Sequence, residues 1–231
     1  MMVKQNRTTK RSTKVRHPAR RPFPGRLMVI GGQGHKVGKT ALVVDLVEAF
    51  PKYQWTAIKI TPHVESGCPL KGAACRCGPA DHTFAIRNEK SRRGRTDTSR
   101  FLAAGAGKSI WVQTKSGRLK DALEPLVAAI GDAENVIVES NAILRYWPSD
   151  LFFMVVDPRS AEFKSSARKV LRLANAFVFR SPFPLGTHAK GPKIPNSGRP
   201  KFLHPLGGAL PASMQNFVRQ HFFRFHHPKG K

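Results

Sequence analysis

Residues 31–42 read GGQGHKVGKTAL and separate the apolar run RLMVI (26–30) from VVDLVEAF (43–50), whose apolar residues recur at helical spacing. Apolar run, glycines, then helical periodicity spell a buried strand, a tight turn and a helix opening at Lys39-Thr40. Glycines at 31, 32, 34 and 38 let backbone N–H groups converge on phosphate oxygens without Cβ interference. The helix N-terminus adds its partial positive charge. Lys39 is then placed for β- and γ-phosphates, and the Thr40 hydroxyl for Mg²⁺. The usual spacing G-x-x-x-x-G-K-[ST] asks for glycine at 33, where this chain has Gln33; counted from Gly32 the loop is one residue longer. Gly32, Gly34, His35, Lys36, Val37, Gly38, Lys39, Thr40 and Ala41 are the expected nucleotide-binding set. Lys39 is expected to point into solvent when no ligand is bound.

Outward from this loop, strand and helix patterns alternate. WTAIKI (55–60), SIWVQT (109–114), NVIVES (135–140), LFFMVVD (151–157) and AFVFR (176–180) read as strands. TALVVDLVEAF (40–50), DTSRFLAAGA (97–106), RLKDALEPLVAAI (118–130) and SSARKVLRLA (165–174) read as helices. Continuous apolar strands alternating with helices predict an α/β fold, a mostly parallel sheet with helices on both faces. At 231 residues the chain suits one domain with appendages. The domain is expected at 26–181, interrupted by an irregular insertion at 61–95 that carries every cysteine. Residues 1–25 form a basic tail of disordered composition, and 182–231 a basic Pro/Gly-rich extension. That extension is expected to supply no sheet hydrogen bonds and to bury little, apart from SMQNFVRQHFFRF (213–225), a helix expected to dock on the domain or a partner.

A formal charge of +26 and a pI near 11.1 favour anionic partners, and much of the excess sits in the two tails. Weak nucleic-acid or other anionic contact through those tails is one expectation, and an organellar targeting role for the N-terminus another. No run approaches the roughly 20 apolar residues of a membrane span. The sequence predicts a cytoplasmic protein without membrane contact.

The long loop ending in Val37-Gly38-Lys39-Thr40 resembles that of dethiobiotin synthetases, within the SIMIBI class of P-loop proteins. That class also holds MinD-like ATPases, metallochaperone GTPases and the molybdopterin-guanine dinucleotide biosynthesis protein B (MobB) family. AIKI (57–60) is similar to the MobB second strand with its Ile-Lys pair, which implies that Lys59 lies near phosphate or substrate. TDTSRFLAAGA (96–106) resembles a MobB stretch, matched at Asp97, Thr98, Arg100 and Ala104-Gly105-Ala106. NVIVES ends in Glu139 where these families have Glu-Gly, with Ser140 replacing the glycine. The resemblance implies a slow, Mg²⁺-dependent ATPase or GTPase tied to molybdenum-cofactor maturation. Its rivals are a small-molecule kinase or ligase like dethiobiotin synthetase, with a substrate pocket near Lys59 and Asp97, and a metallochaperone NTPase. A homodimer and a client protein are the protein partners consistent with the class.

Lys39, Glu139 and Asp97 are the expected catalytic residues. A carboxylate at the end of a central strand, as Glu139 is, can bind Mg²⁺ through its water or orient an attacking water. It can also serve only as an ion-pair or capping group. Asp97 can hold metal or substrate, or be the N-cap of the helix it precedes; Arg100 is a candidate substrate contact. Cys68, Cys75 and Cys77 lie within ten residues, flanked by His63 and His82. Clustered thiols in a reducing compartment favour metal over disulfide. Cys68, Cys75, Cys77 and His82 are the candidate Zn²⁺ ligands, with Fe–S ligation, a redox pair or loop cysteines without a role as alternatives.

Overall fold

In the computed structural model, which describes residues 21–63, 82–181, 194 and 198–223, the apolar runs pair into one eight-stranded sheet. The strands are β1 (Arg26–Gly32), β2 (Thr56–His63), β3 (Phe84–Asn88), β4 (Lys108–Lys115), β5 (Asn135–Glu139), β6 (Leu151–Val156), β7 (Ala176–Phe179) and β8 (Lys201–Leu203). Their order is β3-β4-β2-β5-β1-β6-β7-β8, and every pair is parallel except β3 with β4. Among the described residues five α-helices flank them: α1 (Lys39–Ala49), α2 (Asp97–Ala103), α3 (Leu123–Ile130), α4 (Ser165–Val170) and α5 (Ala212–Val218).

The expected α/β architecture is present, with both faces of the sheet covered. One core layer packs Leu126, Ile130, Ile143 and Val170 on the sheet face that carries Val29 and Val138. The other packs Leu42, Leu46, Phe101 and Met214 on the face that carries Ile30 and Ile137. Strand β1 lies between β5 and β6, and the chain leaves it toward β2 on one side and later adds β6 and β7 on the other. A crevice at the carboxyl ends of the strands follows from that reversal, and the glycine loop sits in it.

Two sequence expectations are corrected. The irregular stretch 61–95 contains β3, an antiparallel edge strand whose Ile86 pairs with Val112. Its five residues alternate too briefly, amid charged neighbours, to stand out as a strand. The stretch after Pro182 does enter the sheet: β8 pairs with β7 in the register Phe177↔Lys201, Val178↔Phe202 and Phe179↔Leu203. Pro200 and Pro205 bracket this strand and leave four residues free to donate, and an edge strand needs donors on one side only. Helix α5 and the turn Arg219–Phe223 dock on the domain, burying Met214, Val218, Phe222 and Phe223. Phe222 stacks on Trp55 at 5.5 Å between ring centroids, and Phe223 packs on Phe50 at 5.3 Å. At the other end Phe23 is buried against Trp147, and Arg21 pairs with Asp150 at 2.8 Å, so ordered packing begins ahead of residue 26.

Candidate nucleotide site

The loop between β1 and α1 is shaped by close approaches that only glycine permits at two positions. Gly38 has φ +90°, and a Cβ there would lie 2.8 Å from Arg180 Nε. A Cβ on Gly32 would lie 2.7 Å from the Lys39 side chain, which folds back across the loop. The expectation that Lys39 points into solvent is therefore corrected: Lys39 Nζ donates to the Gly34 carbonyl at 2.7 Å. A half-buried ammonium must place its protons on acceptors, and the loop's own carbonyl is the nearest one. Burial pushes Lys39 below the usual lysine pKa; Glu139 opposes that shift and Lys59 adds to it.

Strand register assembles the rest of the site. Ile30 pairs with Glu139, Glu139 with Lys59, and Lys59 with Trp111, so a row across four parallel strands puts these side chains on one face. Lys59 Nζ bonds Glu139 Oε1, lies 3.3 Å from Thr40 Oγ1 and pairs with Asp97 Oδ2 at 3.0 Å. Thr40 Oγ1 donates to Glu139 Oε2 at 2.7 Å. Glu139 is 2% exposed, and each of its oxygens accepts from a donor, Thr40 or Lys59. Asp97 opens α2, but the N-cap is Thr96, whose hydroxyl accepts from Ser99 N at 3.1 Å. Asp97 is thus left free to face Lys59.

Sequence reasoning missed four residues or groups around the loop. Gln33, where glycine was expected, is buried and pins the loop to the chain after β6. Its amide donates to Ser160 O at 2.6 Å and Glu162 O at 2.9 Å, and its oxygen accepts from Asp157 N at 2.8 Å. Gln33→Gly restores the commoner motif spacing yet is expected to cost about 2–3 kcal/mol, because it strands a backbone donor and two acceptors. Urea unfolding at unchanged m-value measures this, and an unaltered midpoint would contradict it. Asn141 clamps Gly32 from above, accepting from its N–H and donating to its carbonyl, both at 2.9 Å. Ser140 accepts from Ala142 N at 3.0 Å and so starts the turn that aims Asn141.

The fourth is a buried polar cluster behind the loop. Arg180, at the end of β7, donates to Gly38 O at 3.1 Å, His204 O at 3.1 Å and Asp45 Oδ2 at 3.0 Å. Burial lowers the Arg180 pKa, and Asp45 counters the shift. His204, fully buried just after β8, donates Nε2–H to Asp45 Oδ2 at 2.8 Å. The only sequence signals are an arginine ending an apolar strand and a histidine among prolines, neither specific.

Together these elements line a cavity of about 1040 Å³. Gly32, Gly34, His35, Lys36, Gly38, Lys39, Thr40 and Ala41 line it, as do Lys59, Asp97, Arg100 and Glu139. Val37 packs instead on the apolar layer beneath α1. Cys68, Cys75 and Cys77 lie outside the described residues; His82 sits two residues ahead of β3. Among the described residues no helix is long and apolar enough to cross a membrane.

The sheet order and the glycine loop at the β1–α1 joint define a P-loop α/β fold. No family model and no curated protein matches the chain. Among solved structures it is similar to "apo" form LpxK from Aquifex aeolicus in complex with ATP, at 15% identity and a TM-score of 0.45, covering 78% of this chain and 54% of that one. The chain thus spans about half that structure's length. A likeness at this level adds nothing to the fold already described, and the findings do not extend the resemblance to MobB or dethiobiotin synthetase.

Proposed function

We propose that the chain binds ATP or GTP with Mg²⁺ on the loop Gly32–Thr40 and transfers or hydrolyses the terminal phosphoryl group. The observation that carries this reading is the convergence of Lys39, Thr40, Lys59 and Glu139 at one glycine-shaped loop, where Lys39 bonds the loop carbonyl and Thr40 and Lys59 both bond Glu139. The donor set fits Mg²⁺: a threonine hydroxyl beside a carboxylate, with a second carboxylate across the cavity, offers the hard oxygens this ion takes. Thr40 and Glu139 would hold it, and the bound ion would neutralise charge on the phosphates. Lys39 exchanges the Gly34 carbonyl for phosphate oxygen. In the reaction the bond from terminal phosphorus to the bridging oxygen breaks, and a bond forms to the oxygen of water or of an acceptor hydroxyl. Glu139 and Asp97 are the carboxylates lining the cavity and can orient that oxygen or take its proton.

An acceptor reaction is favoured over hydrolysis alone by the cavity's extent: it continues past Lys59 and Asp97 to Arg95 and Trp111, beyond what the loop needs. That extent supports the kinase or ligase reading. The narrower assignment to molybdenum-cofactor maturation rests on the sequence resemblance, and the metallochaperone reading on cysteines outside the described residues. Glu139→Gln tests the chemistry. It leaves one acceptor oxygen where Thr40 and Lys59 had two, and turnover at saturating nucleotide is expected to fall on the order of 100-fold. Turnover equal to wild type would remove Glu139 from the mechanism.

A further inference from the structure

We propose that the part of the cavity lined by Trp111, Arg95 and Arg100 is the acceptor subsite, and that its ligand is a small anion with a planar or apolar body. The inference rests on the nucleotide reading above and adds the chemical class of the second ligand.

Charge decides the first attribute. Among the described residues six lysines and arginines line the cavity (Lys36, Lys39, Lys59, Arg95, Arg100 and Lys164) against two acids, Asp97 and Glu139. Glu139 is taken up by Lys59 and Thr40, and Asp97 by Lys59 at 3.0 Å, with Arg100 only at 3.9 Å. Lys39 and Lys36 belong to the phosphate loop. Arg95 and Arg100 therefore line the cavity with no carboxylate of their own at hydrogen-bond distance among the described residues, and guanidinium groups so placed suit a carboxylate or phosphate.

The segment carrying Arg95 is built rather than loose. Glu89, just after β3, accepts from Lys90 N and Ser91 N at 3.0 Å each, from the Thr96 hydroxyl at 3.0 Å and from the Thr98 hydroxyl at 2.9 Å. Arg92 bonds the Leu102 carbonyl, and Ser99 Oγ donates to Thr96 O at 2.8 Å. The Ser91 N–H and then the two hydroxyls hold the Glu89 carboxyl below its usual pKa, so the brace stays ionised near neutrality. Arg95 thus projects from a turn whose ends are both tied.

Trp111 supplies the second attribute. It stands next to Lys59 in register, half-buried, with Nε1 donating to Thr61 Oγ1 at 3.2 Å, which fixes the ring at the wall of the cavity. An indole with its polar atom already engaged offers its face to a flat or apolar group. Trp111 also reports on the subsite, because the chain's other two tryptophans, Trp55 and Trp147, are 1% and 3% exposed.

The test follows Trp111 fluorescence in the full chain with the loop saturated by MgADP or MgGDP, whichever binds. The probe is phenyl phosphate, with phenol and inorganic phosphate as its separate halves. Phenyl phosphate is expected to change the emission saturably, phosphate to bind more weakly and phenol not at all. The double variant Arg95→Ala, Arg100→Ala should weaken phenyl phosphate by about tenfold or more, with nucleotide affinity within twofold of wild type; both side chains are exposed, so the fold is not at stake. Lys39→Ala should bind nucleotide on the order of 100-fold more weakly and keep the probe. Phenol binding as well as phenyl phosphate, an unaffected double variant, or probe binding lost with Lys39 would each overturn the subsite. Failure of nucleotide to bind wild type, with the probe arms intact, would instead overturn the nucleotide reading alone.

Discussion

Lys39→Ala is expected to weaken MgATP and MgGTP on the order of 100-fold while leaving the fold standing. The ammonium now rests on a loop carbonyl, Gly34 O, that water can satisfy in its place, so its removal costs the unliganded chain little. In the complex the same ammonium has phosphate oxygens as acceptors. A charge-assisted hydrogen bond of that kind contributes roughly 1.5–3 kcal/mol, and about 1.4 kcal/mol is tenfold in affinity. Titration calorimetry on both proteins, with thermal melts as the control for folding, measures the ratio. A variant that binds as wild type does would mean that the loop's lysine is not a phosphate ligand.

The second large effect lies away from the ligand. Asp45→Ala removes one carboxylate from between two buried partners, Arg180 at 3.0 Å and His204 at 2.8 Å. Breaking a buried pair from one side leaves an uncompensated charge, here on Arg180, and costs about 3–5 kcal/mol. For a chain of this size that is a fall in Tm of roughly 6–20 °C. Because Arg180 also holds the Gly38 carbonyl, loosening of β8 and loosening of the phosphate loop should go together. Hydrogen exchange at Phe202 and Leu203 should rise along with exchange at the loop amides. Unchanged Tm would show that the guanidinium finds other partners without strain.

The parts of the fold that were legible in the sequence are those where one local pattern suffices. Buried parallel strands such as LFFMVVD are continuous apolar runs, and Gly38-Lys39-Thr40 opens a helix wherever it follows such a strand. Glu139 was legible as a charge at a strand end and Lys59 only through the resemblance of AIKI, and their meeting depends on β2 lying beside β5, a pairing between residues 80 positions apart. What escaped notice depends on tertiary partners. Strand β8 is three residues between prolines, given meaning only by the open edge of β7. Gln33 looks like a defect in a glycine motif until the chain after β6 returns with carbonyls at 160 and 162 to receive its amide. Asp45 occupies an ordinary helix position and acquires its role from residues 135 and 159 positions away.

The central claim is that the loop binds a nucleoside triphosphate with Mg²⁺. The most direct test is the thermal stability of the full chain with ATP and GTP titrated separately, each with and without Mg²⁺. A ligand that binds only the native state stabilises it by about 2.7 kcal/mol at a hundred times its Kd, which for this chain is a rise in Tm of roughly 5–11 °C. The account predicts such a rise with one or both nucleotides, dependent on Mg²⁺ and absent in Lys39→Ala. No rise with either nucleotide at millimolar concentration would contradict it.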